Sequence, residues 1–481
     1  MKFVADACAA EIWQGDPETL VQNVGTDSRQ AKPGDLFFAV KGERFDGHDF
    51  LADVAAKGAT AVVLDRKKIP PSLPDCAVLV VEDARIAFGQ LAAAYRRRFD
   101  LPVVCVSGSN GKTTTKELIA SVLRQKLRTL WSEASFNNDI GVPATLLRLE
   151  SSHQAAVLEA GTNHPGELAP LVHMIRPDFG VITNIGREHL EFFGDVAGVA
   201  REEGSLAELL PPTGTLFVNG DNEWTEKIAV RTKANVVRVG FGGENDWRAE
   251  KIRLDKNGTT FRVEWRLGDF GATDAPSSRP FPLVEEKVAE GRSRGIAGEY
   301  RINLLGRHQV TNALLALAVG AQLGLGPAEI QRGLAECQPA KMRLQFWEAG
   351  GVRVLDDAYN ANADSTVAAL ETLTSLPLQG RRVAVLGDMG ELGAHSAAAH
   401  AEVGRRVAEL GIGQLFTIGQ WSAHTARAAR DAGLSRVIEF ADVEAAVRAV
   451  RNFLKPGDVV LLKASRASRL ERIAETLKVE K

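Results

Sequence analysis

Residues Val103 to Lys116, VVCVSGSNGKTTTK, bring together what a phosphate cradle needs: an apolar strand, a Gly/Ser turn and a Gly-Lys-Thr triplet that opens a helix. Glycines at 108 and 111 let backbone N–H groups turn inward toward phosphate oxygens, and the following helix adds the positive end of its dipole. In that setting Lys112 lies along the β- and γ-phosphates of a nucleoside triphosphate, and the Thr113 hydroxyl serves Mg²⁺. The common template has a further glycine five residues before Gly111; this chain has Val106 there, so the loop reads as a shortened variant.

Two more residues fall where such a site gathers its ligands. Ala155 to Glu159 reads as a buried strand ending in an acid, and an acid at the carboxyl end of a strand in a nucleotide-binding sheet reaches the metal; the competing reading is a surface glutamate at a strand end. The strand candidate Val181–Asn184 runs directly into Ile185-Gly-Arg-Glu-His189, which brings His189 to the same sheet edge, although a lone histidine is more often structural.

The elements that position these groups alternate along the chain. Strand candidates at 36–40, 61–64 and 77–81 and a helix over 86–99 predict a small α/β unit that ends near Asp100-Leu-Pro102. Strands at 103–106, 155–159, 181–184 and 215–219, separated by helical sequence, predict a mainly parallel sheet. Alternating runs between 247 and 305, such as Thr260-Phe-Arg-Val-Glu-Trp265, suggest antiparallel strands, and 275–298 reads as an exposed loop. Strands at 352–356, 383–387, 415–419, 437–440 and 459–463 predict a second doubly wound domain from about Cys337. The expected fold is α/β in three domains: 1–100, a central phosphate-loop domain at 101–336, and a Rossmann-like domain at 337–481.

Composition sets bounds. With 58 basic against 61 acidic residues and a pI near 6.4, nothing calls for nucleic acid or an anionic membrane surface. Cys8, Cys76, Cys105 and Cys337 form no C-x-x-C pair, which argues against a zinc site or a disulfide framework and suits a reducing cytoplasm. The N-terminus lacks a secretory apolar region, and the tract from Ala313 to Gly326 is too short for a membrane span and reads as a buried helix.

The ordered motifs of the chain resemble those of the Mur ligases over nearly its whole length. They are Thr26-Asp-Ser-Arg29, Gly34 to Phe50, Gly108 to Glu117, Phe136-Asn-Asn-Asp-Ile-Gly-Val-Pro143, Glu159-Ala-Gly161, Asn184 to Glu191, Gly306 to Ala313, Asp356-Asp-Ala-Tyr-Asn-Ala-Asn362, Gly387-Asp-Met-Gly-Glu-Leu-Gly393 and Lys463-Ala-Ser-Arg466. The last motifs of the C-terminal domain look like those of the dipeptide-adding branch, and the Asp-Asn-Pro-Arg segment of the branch that adds the third amino acid does not occur.

The resemblance implies an ATP- and Mg²⁺-dependent amide ligase of peptidoglycan precursor synthesis. Its substrates would be UDP-N-acetylmuramoyl-tripeptide and D-alanyl-D-alanine, and it would act in the cytoplasm as a monomer without membrane insertion or nucleic acid. It implies that Gly108, Ser109, Asn110, Gly111, Lys112, Thr113 and Thr114 cradle ATP, and that Thr113, Glu159 and His189 serve magnesium. Asn312 would face the adenine, Asp357 the ribose, and Arg343 the phosphates from the C-terminal domain. Ser28, Arg29, Lys41 and Gly42 would hold the uridine diphosphate, Asn137 and Asn138 the muramoyl part, and Tyr359, Asn360 and Asn362 the dipeptide.

Some positions depart from the family. A lysine carbamylated by carbon dioxide is usual shortly after the histidine motif, and Ala200-Arg-Glu-Glu-Gly-Ser205 puts Glu203 there. A carbamate and a carboxylate share a negative oxygen pair, so Glu203 is expected to serve magnesium; the alternative is a glutamate on a helix surface. Gln309 stands for an asparagine and Ala464 for a glycine. Two other functions fit less of the sequence: another amide ligase of the superfamily, third-residue-adding or folylpolyglutamate-forming, and a nucleotide-binding scaffold that has lost ligation.

Overall fold

The computed structural model describes residues 1–42, 44–265, 296–377 and 379–478. The chain packs as two compact units: residues 1–105, 128–161 and 169–177 form the first, and 106–127, 162–168 and 178–481 the second.

In the first unit, strands β1 (Glu11–Gln14), β2 (Asn23–Gly25), β3 (Asp35–Phe38), β4 (Ala61–Asp65) and β5 (Ala77–Val81) form a sheet in the order β1-β5-β4-β3-β2. All neighbours are parallel except β1 with β5. The two-residue period of a strand explains its two cores: Leu36, Phe38, Leu79 and Val81 pack on one face, and Phe37, Ala39, Val78 and Val80 on the other. The helix expected over 86–99 runs Ala84–Arg96, with Asp83 capping its first turn through Arg85 and Ile86 N–H groups.

Strand β6 (Val103–Ser107) carries the division between the units, which falls between Cys105 and Val106. On the side of the first unit come β7 (Thr129–Trp131) and β8 (Ala155–Glu159), which pair in parallel. In the second unit follow β9 (Phe179–Ile182), β10 (Thr215–Asn219), β11 (Asn235–Gly240), β12 (Trp247–Asp255), β13 (Gly258–Trp265) and β14 (Gly298–Ile302), each beside the next. Pairing is parallel from β9 to β12 and antiparallel from β12 to β14, as the change of pattern after Trp247 implies. The loop expected at 275–298 lies outside the described residues except at its last three. The Arg307–Gln322 helix is buried at every residue from Gln309 to Gly320, which accounts for the apolar tract.

The C-terminal sheet has β15 (Gln345–Ala349), β16 (Val352–Asp357), β17 (Arg382–Leu386), β18 (Gln414–Ile418), β19 (Val437–Phe440) and β20 (Val459–Lys463) in the order β15-β16-β20-β17-β18-β19. Only β15 is antiparallel to its neighbour. The sequence reading has no counterpart for β1, β2, β7, β11 or β15. Three of them are short, and β15 is a half-buried edge strand without a continuous apolar run.

Candidate active site

The phosphate loop hangs between β6 and the segment after β9. Gly108 has φ 114°, and a Cβ there would lie 2.5 Å from Thr183 Oγ1; Gly111 has φ 89°, with a Cβ position 2.7 Å from Asn312 Oδ1. Both φ values favour glycine, and a side chain would press on the Thr183–Asn184 backbone at 108 and on the Asn312 amide at 111. Ser109 N donates to Asn184 O at 2.8 Å, Asn110 N to Asn184 Oδ1 at 2.8 Å, and Gly186 N to Ser109 Oγ at 2.8 Å. The Lys112–Leu123 helix then begins with Gly111 as its N-cap and no side-chain cap, so its dipole end faces the loop. Thr113 is buried in its first turn, and Leu118, Ile119, Val122 and Leu123 are buried as their spacing predicts.

Lys112 folds back over this loop. Its Nζ donates to Gly108 O at 2.6 Å and approaches Glu188 Oε2 at 3.3 Å. Burial raises the Glu188 carboxyl above the ordinary range, against the pull of Lys112 and His189. His189 Nδ1 lies 2.6 Å from Glu391 Oε2 without in-line hydrogen-bond geometry. Both residues have positive φ, 48° and 59°, a conformation that persists only where surrounding contacts enforce it.

Glu203 is no surface residue. It is 1% exposed; Oε2 accepts from Ser107 Oγ at 2.5 Å and from Gly108 N at 2.8 Å, while Oε1 is buried without a hydrogen-bond partner. Burial pushes its carboxyl up to about 7, against the attraction of Lys112. Glu202, one position earlier on the Val196–Leu209 helix, points elsewhere: it accepts from Gly166 N and Leu168 N, both at 2.8 Å. A turn of about 100° between successive helical residues lets two adjacent acids hold two loops.

In the first unit, Glu159 ends β8 with 1% exposure, and its Oε1 accepts from Asn137 Nδ2 at 2.8 Å. Asn138 Oδ1 accepts from Gly141 N at 2.9 Å at the start of the Gly141–Leu146 helix. Ser28 and Arg29 sit in an exposed turn, where Arg29 Nε and Nη2 fork onto Asp27 at 2.9 and 2.8 Å. Lys41 bridges to Asp46, and Gly42 N donates to Phe45 O at 2.9 Å.

In the second unit, Asn312 Nδ2 donates to Gln309 Oε1 at 2.9 Å, so the amide of Gln309 orients the residue that faces Gly111. Asp357 is held by Lys463 at 2.6 Å and accepts from Leu344 N at 3.1 Å. Arg343, between the positive-φ residues Met342 and Leu344, lies 4.3 Å over the ring of Tyr359. Asn360 is exposed and accepts from Ala361 N with its own side chain. Asn362 caps the Ala363–Ser375 helix, and its Nδ2 donates to Asn110 Oδ1 at 2.9 Å. The sequence reading missed Arg187, Glu188, Glu202, Glu391 and Lys463. All five lie inside stretches quoted from the sequence: Arg187 and Glu188 beside His189, Glu202 beside Glu203, Glu391 within Gly387 to Gly393, and Lys463 at the start of Lys463-Ala-Ser-Arg466.

Among the described residues no three His, Cys, Asp or Glu side chains converge to hold a metal alone. Mg²⁺ does not require such a cage, because it keeps several waters and takes one or two carboxylates with substrate phosphates. The buried, unpartnered Glu203 Oε1 beside the phosphate loop fits that mode.

Comparison with known proteins decides the family. The Mur ligase family catalytic domain matches residues 20–96, the Mur ligase middle domain 106–320, and the Mur ligase glutamate ligase domain 342–466. The chain belongs to the Mur ligase family. Among its relatives is the UDP-N-acetylmuramoyl-tripeptide–D-alanyl-D-alanine ligase of Escherichia coli, 36% identical over 94% of this chain and 93% of that one. The Bacillus subtilis ligase of the same name is 33% identical over 96% and 94%. MurF from Acinetobacter baumannii superposes with a TM-score of 0.85 at 32% identity, covering 99% of this chain and 98% of that one. MurF from Thermotoga maritima, in complex with ADP, gives 0.79 at 27% over 96% and 98%. A folylpolyglutamate synthase of Mycobacterium tuberculosis shares the fold, with a TM-score of 0.60 at 16% identity, covering 82% of this chain and 95% of that one.

Proposed function

We propose that the chain joins D-alanyl-D-alanine to UDP-N-acetylmuramoyl-tripeptide, with ATP cleaved to ADP and phosphate, in cytoplasmic peptidoglycan precursor synthesis. The observation that carries this reading is the phosphate loop with Lys112 folded over it and Glu203 beneath it, in a chain that matches ligases of that name along nearly their full length.

The tripeptide carboxylate attacks the γ-phosphorus, giving an acyl phosphate and ADP. The dipeptide amine then adds to the acyl carbon, and phosphate leaves from the tetrahedral intermediate. Two anions meet in the first stage. Lys112 and Arg343 offset their charge, and the N–H groups of Gly111 and Thr114 at the helix N-terminus meet the phosphates, while Gly108, Ser109 and Asn110 give their own N–H groups to Glu203 and Asn184 and so shape the loop around ATP. Thr113, Glu159, His189 and Glu203 would serve Mg²⁺ directly or through water, and the ion would offset further charge on the phosphates.

Glu203 supplies its carboxylate directly, so this chain needs no carbamylated lysine. Asn312 faces adenine and Asp357 ribose. Ser28, Arg29, Lys41 and Gly42 take the uridine diphosphate, Asn137 and Asn138 the muramoyl part, and Tyr359, Asn360 and Asn362 the dipeptide. The work divides among domains at 1–100, 101–336 and 337–481.

The test is incubation of purified protein with ATP, Mg²⁺ and UDP-N-acetylmuramoyl-tripeptide, with and without the dipeptide, following phosphate and product mass. Phosphate release that depends on the dipeptide, with a pentapeptide product, is expected. A folded, ATP-binding protein that makes no pentapeptide would overturn the assignment.

A further inference from the structure

The six residues between β9 and His189 touch two parts of the second unit at once. On one side Asn184 and Glu188 hold the phosphate loop and Lys112. On the other, Arg187 reaches two helices of the C-terminal region. Its backbone N donates to Asp364 Oδ2 at 2.9 Å, its Nε and Nη2 to Asp364 Oδ1 at 2.9 and 2.5 Å, and its Nη1 and Nη2 to Glu402 at 2.5 and 3.0 Å. Asp364 lies in the first turn of the Ala363–Ser375 helix, and Glu402 lies on the Ser396–Glu409 helix.

Two features make this more than a surface pair. The guanidinium forks onto two carboxylates that come from separate helices, a planar geometry that lysine cannot reproduce. A second tie meets the same helix end, because Asn362 caps it and donates to Asn110 of the phosphate loop. Gly186 allows the approach: a Cβ there would lie 2.7 Å from Asp364 Oδ2.

We propose that Arg187 is a positioning residue that clamps the Ala363–Ser375 and Ser396–Glu409 helices against the phosphate loop. In doing so it aligns the amine-binding segment 359–362 with the acyl phosphate. This rests on the ligase reading. The clamp also protects the intermediate. When it is loose, water adds to the acyl carbon in place of the amine, the bond from that carbon to the phosphate oxygen breaks, and carboxylate and phosphate are released without an amide.

The experiment uses the full chain with Arg187→Ala, Arg187→Lys, Asp364→Asn and the Arg187→Ala/Asp364→Asn pair. It measures phosphate released per amide formed, KM for ATP and for the dipeptide, and solution X-ray scattering. Arg187→Ala should lower kcat by about 10- to 100-fold and raise the dipeptide KM, leaving the KM for ATP within about twofold. The ratio of phosphate to amide should rise from about one to several, and the scattering curve should expand. Arg187→Lys should recover only part of the loss, and the double variant should lose less than the sum of the singles.

One phosphate per amide and an unchanged scattering curve in Arg187→Ala would overturn the clamp. If Arg187→Ala does not fold, Glu402→Gln decides by the same readouts, with a smaller shift expected and no shift refuting. If the unaltered protein makes no amide, the ligase reading fails, while the scattering comparison still decides the clamp.

Discussion

At the phosphate loop, Ser107 and Gly108 give their donors to one buried carboxylate, Glu203, and Lys112 is tied to Gly108 O and Glu188. At the N-terminal turn proposed for the uridine diphosphate, Arg29 forks onto Asp27 with 86% of its side chain exposed. The first region is assembled before a ligand arrives, with interactions strengthened by exclusion from water. The second keeps its charge solvated and is free to exchange Asp27 for a diphosphate. Changes in the first should therefore strike turnover or folding, and changes in the second should strike affinity alone.

The largest effect is expected from Lys112→Ala, with kcat down about 1,000-fold or more in the ligation assay, because the developing phosphoryl charge loses its fixed cation. Next comes Glu203→Gln, which keeps an acceptor for Ser107 and Gly108 but removes the charge. Its kcat should fall about 100-fold and stay insensitive to added bicarbonate. Activity raised by bicarbonate in the unaltered protein would break the reading of Glu203.

His308 sharpens the comparison through stability. Burial pushes its imidazole down to about 4, with Asp357 and Glu371 pulling up and Lys463 pushing down. The unfolded chain then binds the proton first, so stability is full above about 6.5 and is lost as pH falls toward 4. His308→Gln should remove up to about 2 kcal/mol of that decline, allowing for partial exposure of the ring, in denaturant titrations at pH 7 and pH 5. Smallest is Arg29→Ala: about a tenfold rise in KM for the UDP-linked substrate, with kcat and the melting temperature unchanged. A drop in melting temperature there would show that the turn is structural.

The sequence made legible what a local pattern can carry. Strands Ala155–Glu159 and Thr215–Asn219 match their expected bounds because a strand buried on both faces reads as a continuous apolar run. Thr129–Trp131 has three residues and no such run, and it passes unseen. In the site, the phosphate loop is readable because glycines and Lys112 lie together in sequence. The burial of Glu203 is not, since Arg201-Glu-Glu203 looks like a solvated helix face until both acids are placed against loops from elsewhere in the chain. Arg187 escapes for the same reason: its partners are 177 and 215 residues away.

The central claim is that ATP activates the tripeptide carboxylate by phosphorylating it. Tripeptide labelled with ¹⁸O in that terminal carboxylate, turned over with ATP, Mg²⁺ and D-alanyl-D-alanine, tests it most directly. An acyl phosphate requires one ¹⁸O to pass from the carboxylate to each phosphate released, readable by mass spectrometry of the phosphate. Pentapeptide formed with unlabelled phosphate would contradict the account.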